Sequence, residues 1–165
     1  MILRPTTSRR AGTNEDGTRR GMAAVEFALL LPLIFTLVMG MIETGNMFLT
    51  WLSIQEAAEV GARFASTGQG EDDGTRLTQI ADVSANVLGS LNGDTKVLIR
   101  CYPGRDVSAS AVENSAGTPC DMVEVEVRHD YSPVTPIIGS LLPDTITLSS
   151  SDRKVNEPWE PCSGT

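Results

Sequence analysis

The stretch from Arg19 to Phe35 reads RRGMAAVEFALLLPLIF, which is two arginines, a glycine and a long apolar run that contains one glutamate. Glu26 is the only charged residue from Met22 to Ile42. A helix of that length spans about 31 Å, which matches the hydrocarbon core of a bilayer. A carboxylate inside such a segment costs roughly 2.5–3.5 kcal/mol on insertion scales, so it needs a partner or a function.

Charge is distributed unevenly on the two sides of this run. The chain has 13 basic and 21 acidic residues. Five basic and two acidic residues precede Gly21, which gives that part a charge of +3. The 8 basic and 19 acidic residues after Gly21 give the rest of the chain a charge of −11. Because basic flanks stay in the cytoplasm, we expect the N-terminus to face the cytoplasm and the acidic remainder to face outward. No basic, aromatic-interleaved patch indicates a nucleic-acid partner.

Three simpler interpretations of the run are a Sec signal peptide, a twin-arginine signal and a plain signal anchor. A Sec signal usually has a shorter core and ends at a small-residue cleavage site, whereas no A-x-A site follows here before the amphipathic stretch. The pairs Arg9-Arg10 and Arg19-Arg20 are compatible with a twin-arginine signal, but such pairs are common in any basic leader. None of the three interpretations explains Glu26.

These residues resemble the TadE-like family of minor pseudopilins, from the tight-adherence (Flp-type) pilus assembly system of bacteria. Prepilins of this class have a short basic leader that ends in glycine, after which a prepilin peptidase cleaves, and a glutamate at the fifth mature position. This chain has Gly21, then Met22-Ala23-Ala24-Val25-Glu26, and Phe27 is the aromatic that Flp-type proteins favour there. The resemblance continues in AAEVGARFAS, which ends at Ser66, and resumes in TITLSSSDRKVNE near the C-terminus.

The resemblance implies that prepilin peptidase removes the leader, residues 1–21, and exposes an ammonium group at Met22. Glu26 lies one helical turn further on and on the same face. The two groups can neutralise each other within one chain, or Glu26 can accept the amine of a neighbouring subunit and set the axial register. The family favours the second arrangement, while a glutamate near the cytoplasmic end can also reach the headgroups.

The residues after this segment predict that the helix continues beyond the bilayer. An apolar stripe with helical spacing predicts an amphipathic extension over residues 44–66, after a transmembrane helix over 22–43. The acidic, glycine-rich TGQGEDDG then ends the helix, and its carboxylates lack the spacing of a calcium loop. The stripe comprises Met47, Trp51, Ile54, Ala58, Gly61, Ala62 and Ala65.

The remaining chain, residues 67–165, predicts an α+β head. A second helix is expected from Thr75 to Gly89. The alternating VEVEVR from Val123 is typical of a strand with one buried and one solvated face. We therefore expect a pilin-like fold in which the long helix packs on a small antiparallel sheet of about three strands. The strands are expected at Lys96–Tyr102, Asp121–Tyr131 and Thr145–Lys154.

The three cysteines allow three single disulfide pairings. Cys101 and Cys120 lie at adjacent ends of neighbouring predicted strands, so we expect a disulfide between them, worth roughly 3 kcal/mol in an oxidising compartment. Cys162 is then unpaired, bonded to another chain, or a replacement for either partner. Zinc is not expected, because the chain has no C-x-x-C and only one histidine, and no other metal or cofactor is predicted.

No catalytic residue is expected. His129 and Asp130 are adjacent on a predicted strand, so their side chains point to opposite faces. The serines lack the G-x-S-x-G context, and no phosphate-binding loop or dinucleotide fingerprint is present.

The interpretation that unites these observations is a minor pseudopilin in the bacterial inner membrane, with a periplasmic head and no enzymatic activity. The resemblance implies four partners: the membrane, the prepilin peptidase, other pilins and pseudopilins, and the pilus assembly machinery. The alternative is an uncleaved single-pass periplasmic scaffold or binding protein.

Overall fold

The structure is a computed structural model that describes residues 15–89, 91, 93–108 and 110–162, without the side chains of residues 15–20 and 137. Helix α1 runs over Glu15–Ser66. It therefore begins within the predicted leader, most of which lies outside the described residues. The predicted end of the helix at Ser66 is confirmed.

Contacts within the chain define two compact units, residues 1–38 and 39–165. In the first unit every described side chain, from Gly21 to Val38, is exposed. Within the described chain, one stretch of helix, Gly21–Ser66 of α1, is long and apolar enough to cross a membrane. This exposed apolar helix suggests that it anchors the protein in a membrane.

The second unit has an α+β architecture, which confirms the predicted fold class. Its four strands form one antiparallel sheet in the order β2-β1-β3-β4. The elements are helix α2 at Arg76–Leu88, strands β1 at Thr95–Tyr102, β2 at Val112–Glu113 and β3 at Met122–Tyr131, the short helix α3 at Pro136–Gly139, and β4 at Ile146–Val155.

The predicted sheet of about three strands lacks one strand of the observed sheet. The additional strand is β2, which has two residues and pairs Val112 with Cys101 of β1. A two-residue strand inside a polar loop has no alternation from which it can be predicted. The other three strands agree with the predicted ranges to within one residue at each end.

The core lies between α1 and one face of the sheet. Val123, Val125 and Val127 of β3 are completely buried, and Val97 and Ile99 of β1 stand opposite two of them. Small side chains on α1 let the helix approach this face closely, and the predicted stripe is buried from its third residue onward. The fully buried residues of α1 are Ile54, Ala57, Ala58, Ala62 and Ala65.

Gly61 of α1 allows helices α1 and α2 to pack closely. A Cβ atom at this position would overlap the Ser84 hydroxyl of α2 and lie 3.1 Å from the Val125 side chain. The backbone of α1 therefore approaches α2 as closely as glycine permits.

Arg76 fixes the end of α1 to the rest of the head. Its side chain is buried and donates to the carbonyl oxygens of Ala65 at 2.8 Å and Gly117 at 2.7 Å, and to the Glu71 carboxylate at 2.9 Å. The guanidinium also lies 4.7 Å from the centre of the Trp159 ring. One residue thus satisfies a terminal carbonyl of α1 and holds the C-terminal tail against it.

Candidate functional site

The predicted processing residues lie on the exposed part of α1. Met22 is 70% exposed and Phe27 is 61% exposed, and Glu26 is exposed among apolar side chains. Met22 and Glu26 are one turn apart on the same face, as the sequence predicted. Within the described part of the chain, Glu26 has no hydrogen bond or ion pair.

Gly21 lies inside α1, yet nothing among the described residues around it requires a glycine. A Cβ atom added there would meet no atom within 4 Å. Glycine inside a helix is less stable than alanine by roughly 1 kcal/mol, so a glycine without a packing role is unfavourable for the isolated helix.

A second glutamate of α1, Glu43, is buried and held by four donors. The Tyr131 hydroxyl donates to its carboxylate at 2.6 Å, and the Val134 N–H does so at 3.1 Å. Thr135 donates both its N–H, at 2.9 Å, and its hydroxyl, at 2.8 Å. The residue is only 4% exposed, so these bonds replace its hydration.

The bonds to Glu43 change the chemistry of the tyrosine as well. Burial raises the pKa of Tyr131 to about 12, and the hydrogen bond to the Glu43 carboxylate contributes to the increase. A phenolate at this position would lie beside a carboxylate in a buried site. The neutral tyrosine therefore acts as a hydrogen-bond donor that attaches the end of β3 to α1.

In the sequence, Glu43 is the first charged residue after Glu26 and marks the end of the apolar run. Its donors lie 88 to 92 residues further along the chain. No local pattern links a helix residue to a loop at that distance. The available signal was indirect: a carboxylate at the end of an apolar run borders both lipid and head, where an unbonded charge is unfavourable.

His129 and Asp130 point to opposite faces of β3, as the alternation predicted. His129 is 1% exposed, and its Nδ1 lies 2.8 Å from the Thr95 hydroxyl oxygen. Asp130 accepts a hydrogen bond from the Thr147 hydroxyl at 2.7 Å on the other face. The structure therefore does not bring these two side chains together.

The predicted pairing of Cys101 with Cys120 is wrong. Cys120 forms a disulfide with Cys162, with a Cα–Cα distance of 5.6 Å, and Cys101 is a free buried thiol. Cys120 precedes β3 and Cys162 follows β4, and since these strands are antiparallel neighbours, the two flanking segments lie side by side. The Cys120 N–H donates to the Asn156 carbonyl at 3.2 Å, which holds them there.

Cys101 instead faces the core side of β1. Its Sγ lies 3.8 Å from an Asp121 carboxylate oxygen. Burial raises the pKa of the Cys101 thiol to about 11, and the charge of Asp121 adds to this effect. A thiol with so high a pKa is mostly protonated and unreactive at neutral pH.

A family model described as TadE-like protein matches residues 21–63. No curated protein and no solved structure matches the chain at a significant level. The matched segment contains the predicted processing residues, the apolar run, Glu43 and the glycine of the AAEVGARFAS stretch. The family suggests a function associated with the Tad/Flp pilus. Over residues 21–63 the chain is thus similar to the TadE-like family, which confirms the resemblance predicted from the sequence.

Proposed function

We propose that this protein is a minor pseudopilin of TadE-like type that contributes to the assembly of a Flp-type pilus. In this proposal a prepilin peptidase removes residues 1–21, the mature helix spans the inner membrane with its N-terminus in the cytoplasm, and the head lies in the periplasm. The role is structural, and the chemistry of cleavage is performed on the protein by the peptidase. The observation that carries the proposal is Glu26, an exposed carboxylate among apolar side chains, one turn from Met22.

Glu26 requires a cation that the described chain does not provide. A lone carboxylate inside a bilayer is unfavourable by roughly 2.5–3.5 kcal/mol, and cleavage before Met22 creates an ammonium group within reach. Pairing with the amine of a neighbouring subunit would offset this energy only when subunits stand in the correct axial register. The same residue would then favour assembly and define its geometry.

Gly21 supports the proposal from the other side of the cleavage site. No packing within the described chain requires a glycine at this position, and recognition by an external protein would account for its presence. A side chain at the last leader residue would obstruct a narrow peptidase cleft. The family match also begins at this residue.

The alternative function is an uncleaved single-pass periplasmic scaffold or binding protein. It shares the membrane helix and the head but assigns no role to Glu26 or Gly21. The two proposals therefore make different predictions for substitutions at Glu26.

The test replaces Glu26 in the native bacterium, with Glu26→Ala and the neutral isostere Glu26→Gln. Both variants should remain in the membrane fraction, because removal of the charge makes insertion easier. Incorporation into the pilus assembly should fall by about tenfold or more, since loss of more than ~1.4 kcal/mol corresponds to that factor. Glu56→Gln, on an exposed part of the same helix, is the matched control and should assemble normally. Normal piliation in both Glu26 variants would favour the uncleaved scaffold.

A further inference from the structure

We infer that the segment Ser132–Pro143 is a second membrane contact, which inserts its exposed apolar side chains into the outer leaflet beside α1. This inference rests on the membrane-spanning helix of the proposed function. It adds to that function a specific surface of the head and a specific partner, the lipid bilayer.

The composition of the segment is the first observation. It reads SPVTPIIGSLLP and contains no charged residue, in a chain in which 21% of the residues are charged. Three of its aliphatic side chains face outward: Leu141 is 73% exposed, Val134 64% and Leu142 38%. A run of exposed aliphatic side chains without charge is unusual on a solvated surface and is typical of a surface that another phase covers.

The position of the segment is the second observation. Val134 and Thr135 are bonded to Glu43, and a Cβ atom at Gly40 would lie 3.9 Å from the Ile138 side chain. The segment therefore lies along the part of α1 where the apolar run ends. The exposed side chains of α1 at that level are also apolar, with Met41 71% exposed. The two elements form one continuous apolar surface.

The depth of this surface follows from the length of the helix. The apolar run of about 31 Å fills the hydrocarbon core, so its last residues lie at the outer boundary. A segment packed against those residues reaches the same boundary. The Glu43 charge does not oppose this placement, because four donors from the head surround it.

The backbone of the segment is suited to lipid. Groups that leave water need internal hydrogen bonds. The Gly139 N–H donates to the Thr135 carbonyl at 2.8 Å, and the N–H groups of Leu141 and Leu142 donate to the Ile138 carbonyl at 2.9 and 3.0 Å. The three prolines of the segment have no N–H to satisfy. Together with the bonds from Val134 and Thr135 to Glu43, these features reduce the number of unbonded N–H groups that the segment would expose to lipid.

The test measures the environment of spin labels on the full chain in nanodiscs of phosphatidylcholine and phosphatidylglycerol. Labels are attached singly through Leu141→Cys in the segment, Val107→Cys as an exposed control beyond the opposite end of the sheet, and Leu33→Cys in the membrane helix. Cys101 is buried, so the introduced thiol is the accessible one. We expect the Leu141 label to collide frequently with oxygen and rarely with a water-soluble nickel chelate, as the Leu33 label does, whereas the Val107 label shows the opposite.

Three results would overturn the inference in distinguishable ways. A Leu141 label as accessible to nickel as the Val107 label would show that the segment lies in water. Protection from both reagents would show that a protein, such as a second copy of the chain, covers it. A Leu33 label in water would contradict the membrane-spanning function itself and this inference with it.

A second variant tests what holds the segment in place. Glu43→Gln should weaken the bonds to Val134 and Thr135, so the Leu141 label should become more mobile and more accessible to nickel. Unchanged accessibility in this variant would overturn the role of Glu43 in positioning the segment, and Glu56→Gln serves as its control.

Discussion

The two glutamates of the apolar part of α1, Glu26 and Glu43, differ in whether their carboxylates have hydrogen-bond partners in the described chain. Glu43 accepts bonds from four donors of its own chain, and all of them lie within the unit formed by residues 39–165. Glu26 is exposed among apolar side chains without a partner in the described chain. Hydrogen bonds to an ionised carboxylate, such as those to Glu43, are among the strongest in proteins. The carboxylate of Glu43 is therefore fully hydrogen-bonded within its own chain, whereas Glu26 lacks such a partner, and we propose that processing or assembly supplies one.

Glu43→Gln tests the first of these assignments. The amide keeps the size of the side chain but has one oxygen instead of two, so buried donors lose their acceptor. We expect the free energy of unfolding of the head to fall by about 2–3 kcal/mol. Hydrogen exchange should also accelerate at the Val134 and Thr135 amides. Glu56→Gln should change neither quantity, and equal stability of the two variants would contradict the assignment.

Tyr131 gives the head a characteristic sensitivity to alkaline pH. The pKa of the Tyr131 hydroxyl rises from 10.0 to about 12 on folding. Its contribution to the free energy of unfolding is therefore complete below pH 10 and is lost as the pH rises through 12. The loss should approach about 3 kcal/mol, because each unit of difference in pKa corresponds to roughly 1.4 kcal/mol. Tyr131→Phe should lower stability at neutral pH and flatten this part of the pH profile. Parallel profiles of both proteins in urea titrations would contradict the assignment.

The cysteines separate into one structural disulfide and one inert thiol. Cys162→Ser should destabilise the oxidised head by up to about 4 kcal/mol, because the disulfide joins residues 42 apart and constrains the unfolded chain. Cys101→Ser should leave the disulfide intact. A thiol assay should detect no reactive thiol in the folded wild-type head and one after unfolding. A reactive thiol in the folded head, or a stable Cys162→Ser variant, would contradict the pairing.

At the scale of elements, sequence patterns predicted what depends on neighbouring residues. The alternation from Val123 predicted the ends of β3 to within one residue. The apolar stripe predicted that α1 ends at Ser66. Contacts between distant segments were not available from such patterns. Examples are the hydrogen bonds to Glu43 and the bonds of Arg76 to the carbonyls of Ala65 and Gly117. The cysteine pairing was missed for the same reason, since it depends on the strand order.

The contact between α1 and α2 is tested by a matched pair of glycine substitutions. Gly61→Ala should destabilise the head by about 1–3 kcal/mol, because the new methyl group would overlap the Ser84 hydroxyl. Gly45→Ala on the same helix meets no atom within 4 Å and should be neutral or stabilising by up to about 1 kcal/mol. Adding Ser84→Ala to Gly61→Ala should restore part of the loss. Equal effects of the two glycine substitutions would show that close packing at position 61 is not important.

At the scale of the whole molecule, the extension of α1 and the sheet behave as one unit. The head is attached at both ends of this extension: at Glu43 by the loop after β3, and at Ser66 by the Glu157 N–H, which donates to its carbonyl at 2.8 Å. Helix packing through small residues fills the space between these points. A force on this part of the helix would therefore move the head with it, which is what the proposed assembly role would need.

We propose that processing creates the cation that Glu26 needs, and the residue at which the mature chain begins decides this. Mass spectrometry of the chain extracted from native membranes should show a protein that begins at Met22. Gly21→Arg should retain the full leader, while Gly45→Arg, a matched change outside the cleavage site, should be processed normally. A wild-type chain in pilus-producing cells that still begins at Met1 would contradict this proposal and favour the uncleaved single-pass scaffold.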